Sequence, residues 1–76
     1  MEISKKQLEK FCKKYRLSPR ESQILKLIIE GVDSDLEISK KTGAKVSTVR
    51  RQVHDILAKV GVGTKVKLFS KTIQEL

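Results

Sequence analysis

The stretch Ser47–Val62, STVRRQVHDILAKVGV, repeats its apolar residues at the spacing of a helix rather than a strand. Val49, Val53, Ile56, Leu57 and Val60 follow i, i+4, i+7, i+8 and i+11, which lays one apolar stripe along an α-helix. Opposite the stripe stand Arg50, Arg51 and His54, all toward the N-terminal end. A helix held by one apolar face, with two arginines and a histidine on the other, is shaped to enter a groove. The chain around it carries 17 Lys and Arg against 9 Asp and Glu, a net charge of +8 at pH 7. The groove that suits it therefore belongs to a polyanion, and the major groove of DNA admits a helix of this width.

Size narrows the fold. Seventy-six residues make one small domain that buries only about 60–65% of its unfolded surface, a marginal core unless the chain dimerises. With 38% hydrophobic residues and only Phe11, Tyr15 and Phe69 as aromatics, that core must be built mainly of Ile, Leu and Val. A single cysteine, Cys12, excludes an internal disulfide and fits a cytoplasmic setting. One Cys and one His cannot make a zinc site. Cys12 and His54 lie in different helical patterns, and no glycine-rich phosphate loop occurs, so the sequence reads as neither an enzyme nor a cofactor binder. Nor does any apolar run approach the roughly 18–20 residues of a membrane span. The opening MEISKKQLEKF lacks the apolar centre of a signal peptide. Met1 and a capped first helix favour a complete small protein.

The remaining pattern is helical throughout. Ser4 with Gln7 reads as a capping box for a helix over Lys5–Tyr15. Its inner face is Leu8, Phe11, Cys12 and Tyr15, and its outer face is lysine (Lys5, Lys6, Lys10, Lys13, Lys14). Ser18-Pro19-Arg20-Glu21 starts a second helix, with Ser at the N-cap, Pro at the first helical position and Glu at the third. Ile24, Leu25, Ile28 and Ile29 make it the central core helix, and Gly31 suits its end. A short third helix begins at a further S-x-x-E box, Ser34 with Glu37. Its thin inner face is Leu36, Ile38 and Thr42, and Gly43 closes it. The opening helix follows and ends at Gly61. Thr64 then caps a last helix over about Lys65–Gln74, which carries Val66, Leu68, Phe69 and Ile73. Helix, short helix, glycine turn, helix is the helix-turn-helix plan.

Three blocks of this sequence resemble the LuxR-type (NarL/FixJ- and GerE-like) helix-turn-helix domains. LSPRESQILKLIIEG (Leu17–Gly31) is similar to their L-S/T-x-R-E-x-x-I/V-L opening. EISKKTG (Glu37–Gly43) is similar to their E-I-A-x-x-L-G. TVRRQVHDILAKVGV (Thr48–Val62) is similar to their T-V-K-x-H-x-x-x-I-x-x-K-L-x-V. The resemblance covers about Leu17–Leu76. It implies an all-α fold: a four-helix LuxR-type domain over residues 17–76 with an extra basic helix over residues 1–16, one structural domain overall. Departures fall at the turn. One residue is added between Gly31 and Ile38. Ser39, Thr42 and Ala44 stand where the family has a small residue, Leu and Ile. Lys45 stands where a capping Ser is usual, which leaves Ser47 to take over the cap. These changes are expected to thin the packing between the two motif helices.

The resemblance makes the helix over Ser47–Val60 the recognition helix and puts Arg50, Arg51 and His54 at base edges. Physical chemistry points the same way, because arginine can donate a bidentate pair to guanine O6 and N7. Ser47 and Thr48, at the helix N-terminus, suit a phosphate, and Lys45, Lys59 and Lys65 are candidate backbone contacts. Asp55 is the odd residue beside phosphates, expected to pair with Arg51 or Lys59 or to accept from a cytosine N4. The family pattern puts a dimer interface on the last helix, at Val66, Phe69 and Ile73. The expected partners are double-stranded DNA, a second copy of the chain, and RNA polymerase or another regulator, with no membrane. Two alternatives stay open at this point: a protein-interaction module that modulates another regulator, and a domain like region 4 of a sigma factor. The Gly61-Val62-Gly63 break before a final amphipathic helix argues against the latter.

Overall fold

A computed structural model describes residues 4–32 and 34–75. It contains the helices α1 (Lys5–Lys14), α2 (Pro19–Ile29), α3 (Asp35–Thr42), α4 (Val46–Val60) and α5 (Lys65–Glu75), with no strand among the described residues. The fold is all-α, as the spacing of apolar residues requires.

Helix starts follow local chemistry where a hydroxyl and a carboxyl or amide can reciprocate. Ser4 and Gln7 form a capping box at α1, as do Ser18 and Glu21 at α2. Thr64 caps α5 by accepting from the Lys67 backbone N–H at 3.1 Å. Two expected caps are absent. Ser34 occupies the N-cap of α3 but makes no side-chain cap bond; Asp35 and Glu37 in the first turn instead oppose the positive end of the helix dipole. At α4 the N-cap is Lys45, again with no side-chain cap bond. Ser47 is already the second residue of the helix, because the turn occupies only Gly43, Ala44 and Lys45. Just past the end of α1, Arg16 has a φ of 56°, which puts a residue with a Cβ where glycine is usual. The cost, about 1–2 kcal/mol, is offset by the bonds from Arg16 and Leu17 N–H back to the Lys13 and Cys12 carbonyls.

The core runs through every helix. Ile24, Leu25, Ile28 and Ile29 of α2 meet Val49, Val53, Ile56 and Val60 of α4, with Ile38 of α3 and Leu68 of α5 closing the ends. Phe11 and Cys12 bring α1 into the same cluster. Tyr15, just after α1, donates to Glu75 Oε2 of α5 at 2.6 Å. The basic N-terminal helix is thus packed into the core and tied to the far end of the chain. On α3 the expectation for Leu36 fails: it is exposed. Leu36 and Ile38 lie about 200° apart around a helix, whereas Thr42 shares the face of Ile38, so a helix this short buries one or the other. The inner face of α5 is Leu68 and Thr72, both fully buried, while Val66 is 75% exposed and Phe69 37%.

The turn between α3 and α4 uses the very residues that depart from the family pattern. The Ser39 hydroxyl donates to the Ala44 carbonyl at 2.5 Å. Thr42 Oγ1 donates to the Ile38 carbonyl at 2.8 Å and accepts from Ala44 N–H at 3.4 Å. Gly43 sits at φ 77°, the left-handed conformation that lets α3 stop and the chain reverse. From α2, Arg20 Nη1 donates to the Thr42 carbonyl at 3.1 Å. Polar bonds across the turn stand where Leu and Ile would give apolar contact.

Candidate nucleic-acid interface

Helix α4 is positioned by its buried stripe of Val49, Val53, Ile56 and Val60. At 100° per residue, Ser47, Arg50, Arg51 and His54 fall within about 100° of arc on the opposite side, and all four are exposed. The three expected base readers thus share one outward face with Ser47. At the near end, Lys45 is exposed beside a helix start that no side chain caps. The first backbone N–H groups of α4 are therefore free to bind an anion. Asp55 is exposed and forms no ion pair among the described residues, so neither expected partner holds it. Gln52 turns its Oε1 into the protein, where it has no hydrogen-bond partner among the described residues.

Lys59 and Lys65 are used differently from Lys45. Lys59 Nζ donates to Glu21 Oε1 at 2.6 Å and to the Arg16 carbonyl at 3.4 Å, fastening the C-terminal end of α4 to the start of α2. Lys65 Nζ donates to Asp35 Oδ1 at 2.8 Å, and Arg50 Nε lies 3.6 Å from Asp35 Oδ2. Sequence reasoning missed both carboxylates. Glu21 was visible only as a cap, and nothing in its spacing points to a residue 38 positions away. The Lys65 bond comes first among the causes that hold the Asp35 carboxyl below its ordinary range, with Arg50 adding to it.

Glu21 is 5% exposed. Burial pushes its carboxyl up, but the Lys59 hydrogen bond and the Ser18 backbone and hydroxyl bonds outweigh that and leave it below its ordinary value of 4.5. A carboxylate depressed in the folded state contributes stability that is fully present above its unfolded value and is lost as pH falls through the folded one. The melting temperature is therefore expected to hold from neutral pH down toward the carboxyl's ordinary value of 4.5 and to fall as pH drops below it. Glu21→Gln should melt lower at pH 7 and show a shallower fall over the acid range, as thermal melts at a series of pH values would record. An unchanged acid slope would mean that Glu21 is not the linked group.

The comparison with known families bears on what this surface is for. The model of the bacterial regulatory proteins of the luxR family (GerE) matches residues 15–72. The chain belongs to the LuxR family. Comparison with curated proteins and with solved structures returns no match. Membership of the LuxR family makes the chain a DNA-binding regulatory domain in general terms. The matched span contains α2, α3 and α4 whole and most of α5, whereas α1 lies outside it. The LuxR helix-turn-helix is thus α3–Gly43–α4, and the surface just described is the outer face of its second helix. Among the described residues no helix is long and apolar enough to cross a membrane.

Proposed function

We propose that this LuxR-family chain is a sequence-specific transcriptional regulator that lays α4 in the major groove of double-stranded DNA and binds as a dimer on an inverted repeat. The observation that carries the reading is the exposed face of Ser47, Arg50, Arg51 and His54 on the first turns of a helix whose opposite side is locked in the core. Arg50 and Arg51 supply planar forks for guanine O6 and N7, and His54, one turn on, reaches a base edge or a phosphate. Lys45, Ser47 and Thr48 surround the uncapped start of α4 and hold the backbone phosphate there. Lys59 and Lys65 reach DNA only by giving up Glu21 and Asp35, so they rank behind Lys45 as phosphate contacts. Asp55, exposed on the same helix, accepts from a cytosine N4 where the duplex presents one.

Dimerisation falls to α5. Val66, Phe69 and Ile73 lie within about 60° of arc, away from Leu68 and Thr72. Val66 and Phe69 are exposed and Ile73 half-buried, an apolar stripe that a second copy would cover across a two-fold axis. The cytoplasm is the setting for such a protein, with RNA polymerase or another regulator as the further partner.

Binding of the full chain to duplexes selected from a random pool tests the reading. An enriched, inverted-repeat duplex is expected, with affinity falling steeply in salt. A dimer making about six phosphate contacts loses on the order of 10³ in affinity between 50 and 200 mM salt. Enrichment of no duplex, with salt-insensitive binding to a protein partner instead, would favour the interaction-module alternative.

A further inference from the structure

Of the groups on the outer face of α4, Arg50 alone has an ion-pair partner among the described residues. Its Nε lies 3.6 Å from Asp35 Oδ2, and neither terminal nitrogen makes a hydrogen bond among the described residues. Arg51 and His54 have no ion pair or hydrogen bond there at all. Asp35 in turn is not a free surface carboxylate. Its side chain is 24% exposed, and its other oxygen takes the hydrogen bond from Lys65 at 2.8 Å. Asp35 opens α3, Arg50 stands one turn into α4, and Lys65 opens α5, so the carboxylate is fixed where three helices converge.

We infer that Asp35 is a positioning residue for Arg50: anchored by Lys65, it holds the guanidinium by Nε and leaves Nη1 and Nη2 as the fork that reads a guanine edge. The inference rests on α4 being the recognition helix. An arginine presented to DNA without such a buttress loses rotamer freedom on binding and can equally swing to a phosphate. A fixed carboxylate lowers that ordering cost for the base-directed rotamer alone, and its attraction strengthens as the groove excludes water. It also opposes the swing, because leaving Asp35 gives up that ion pair. Arg50, rather than Arg51 or His54, then sets the most discriminating base pair, and Arg51 remains available to the backbone. The same carboxylate lowers affinity for arbitrary sequence, since it offsets one positive charge at the interface.

The test uses the full chain and a duplex selected by it. Arg50→Ala first identifies the base pair that Arg50 reads, as the position where preference collapses. Asp35→Asn is then measured on the selected duplex and on the same duplex changed at that pair. The preference there, about five- to 150-fold for one bidentate contact, is expected to fall by about two- to fivefold, the worth of an exposed ion pair. Affinity for an unrelated duplex should be unchanged or higher. In an Arg50→Ala background, Asp35→Asn should do nothing further at that pair. Only folded chain binds either duplex, so the ratio survives a loss of stability in the variant. Asp35→Asn that keeps the full preference, or that flattens positions Arg50→Ala leaves alone, overturns the positioning role while leaving the regulator reading intact. A wild-type chain that selects no duplex overturns that reading and this inference with it.

Discussion

Ile56→Ala is expected to abolish most of the stability of this domain. Ile56 is fully buried on α4, in the cluster where α4 meets α2. Removing three carbons from such a site costs about 2–5 kcal/mol, because the cavity closes only in part. A folded chain of this length has on the order of 4–11 kcal/mol in total. A kcal/mol shifts the melting temperature of a domain this small by about 4–8 °C, so the variant should melt roughly 10–30 °C lower, or fail to fold at 37 °C. Because Ile56 belongs to the stripe that aims the Arg50–Arg51–His54 face outward, DNA affinity should fall in parallel with the folded fraction and recover on cooling. Urea titration at 10 °C and at 37 °C, with binding measured on the same samples, would check this. A cost below about 1 kcal/mol would mean that α4 is not held by its buried stripe.

The second large effect is confined to recognition. Arg50 has a side chain 68% exposed, and Arg51 is exposed too. Replacing both by alanine should leave melting within about 1 kcal/mol of wild type, the range for exposed positions and a surface ion pair. Each bidentate arginine contact is worth about 1–3 kcal/mol of discrimination. The double variant is therefore expected to lose at least tenfold in preference per half-site, compounded in a dimer. Weak binding to any duplex should persist through Lys45 and the α4 N-terminus. Competition binding with selected and unrelated duplexes separates the two terms. Equal losses on both would make the arginines phosphate ligands rather than base readers.

The helices were legible because each advertises itself locally. The apolar spacing of Val49, Val53, Ile56 and Val60, the reciprocal boxes at Ser4 and Ser18 and the glycines at positions 43 and 61 are all short-range signals, and the structure has each of them. What was not legible depends on which helix lies beside which. Ser47 does not cap α4, because the turn takes only three residues before the helix begins at Val46, a length the turn residues themselves do not announce. Leu36 is exposed rather than in the core, because an eight-residue helix offers too few positions for its apolar face to be unambiguous. Lys59 and Lys65 looked like any surface cation on the backbone side of the site. Only the folded chain brings Glu21 and Asp35 to them, across 38 and 30 residues of sequence. Ser39, Thr42 and Ala44 looked like weakened packing, and in the fold they form a small hydrogen-bonded network at the turn.

The central claim is that α4 reads DNA from the major groove with its arginine-bearing face. Methylation interference on the selected duplex tests it most directly, because one reagent marks guanine N7 in the major groove and adenine N3 in the minor groove. Methylation at one or two guanines of each half-site is expected to block binding, Arg50→Ala to remove the block at one of them, and adenine N3 methylation to have no effect. Interference at adenine N3 alone, or guanine interference that Arg50→Ala and Arg51→Ala both leave unchanged, would contradict it.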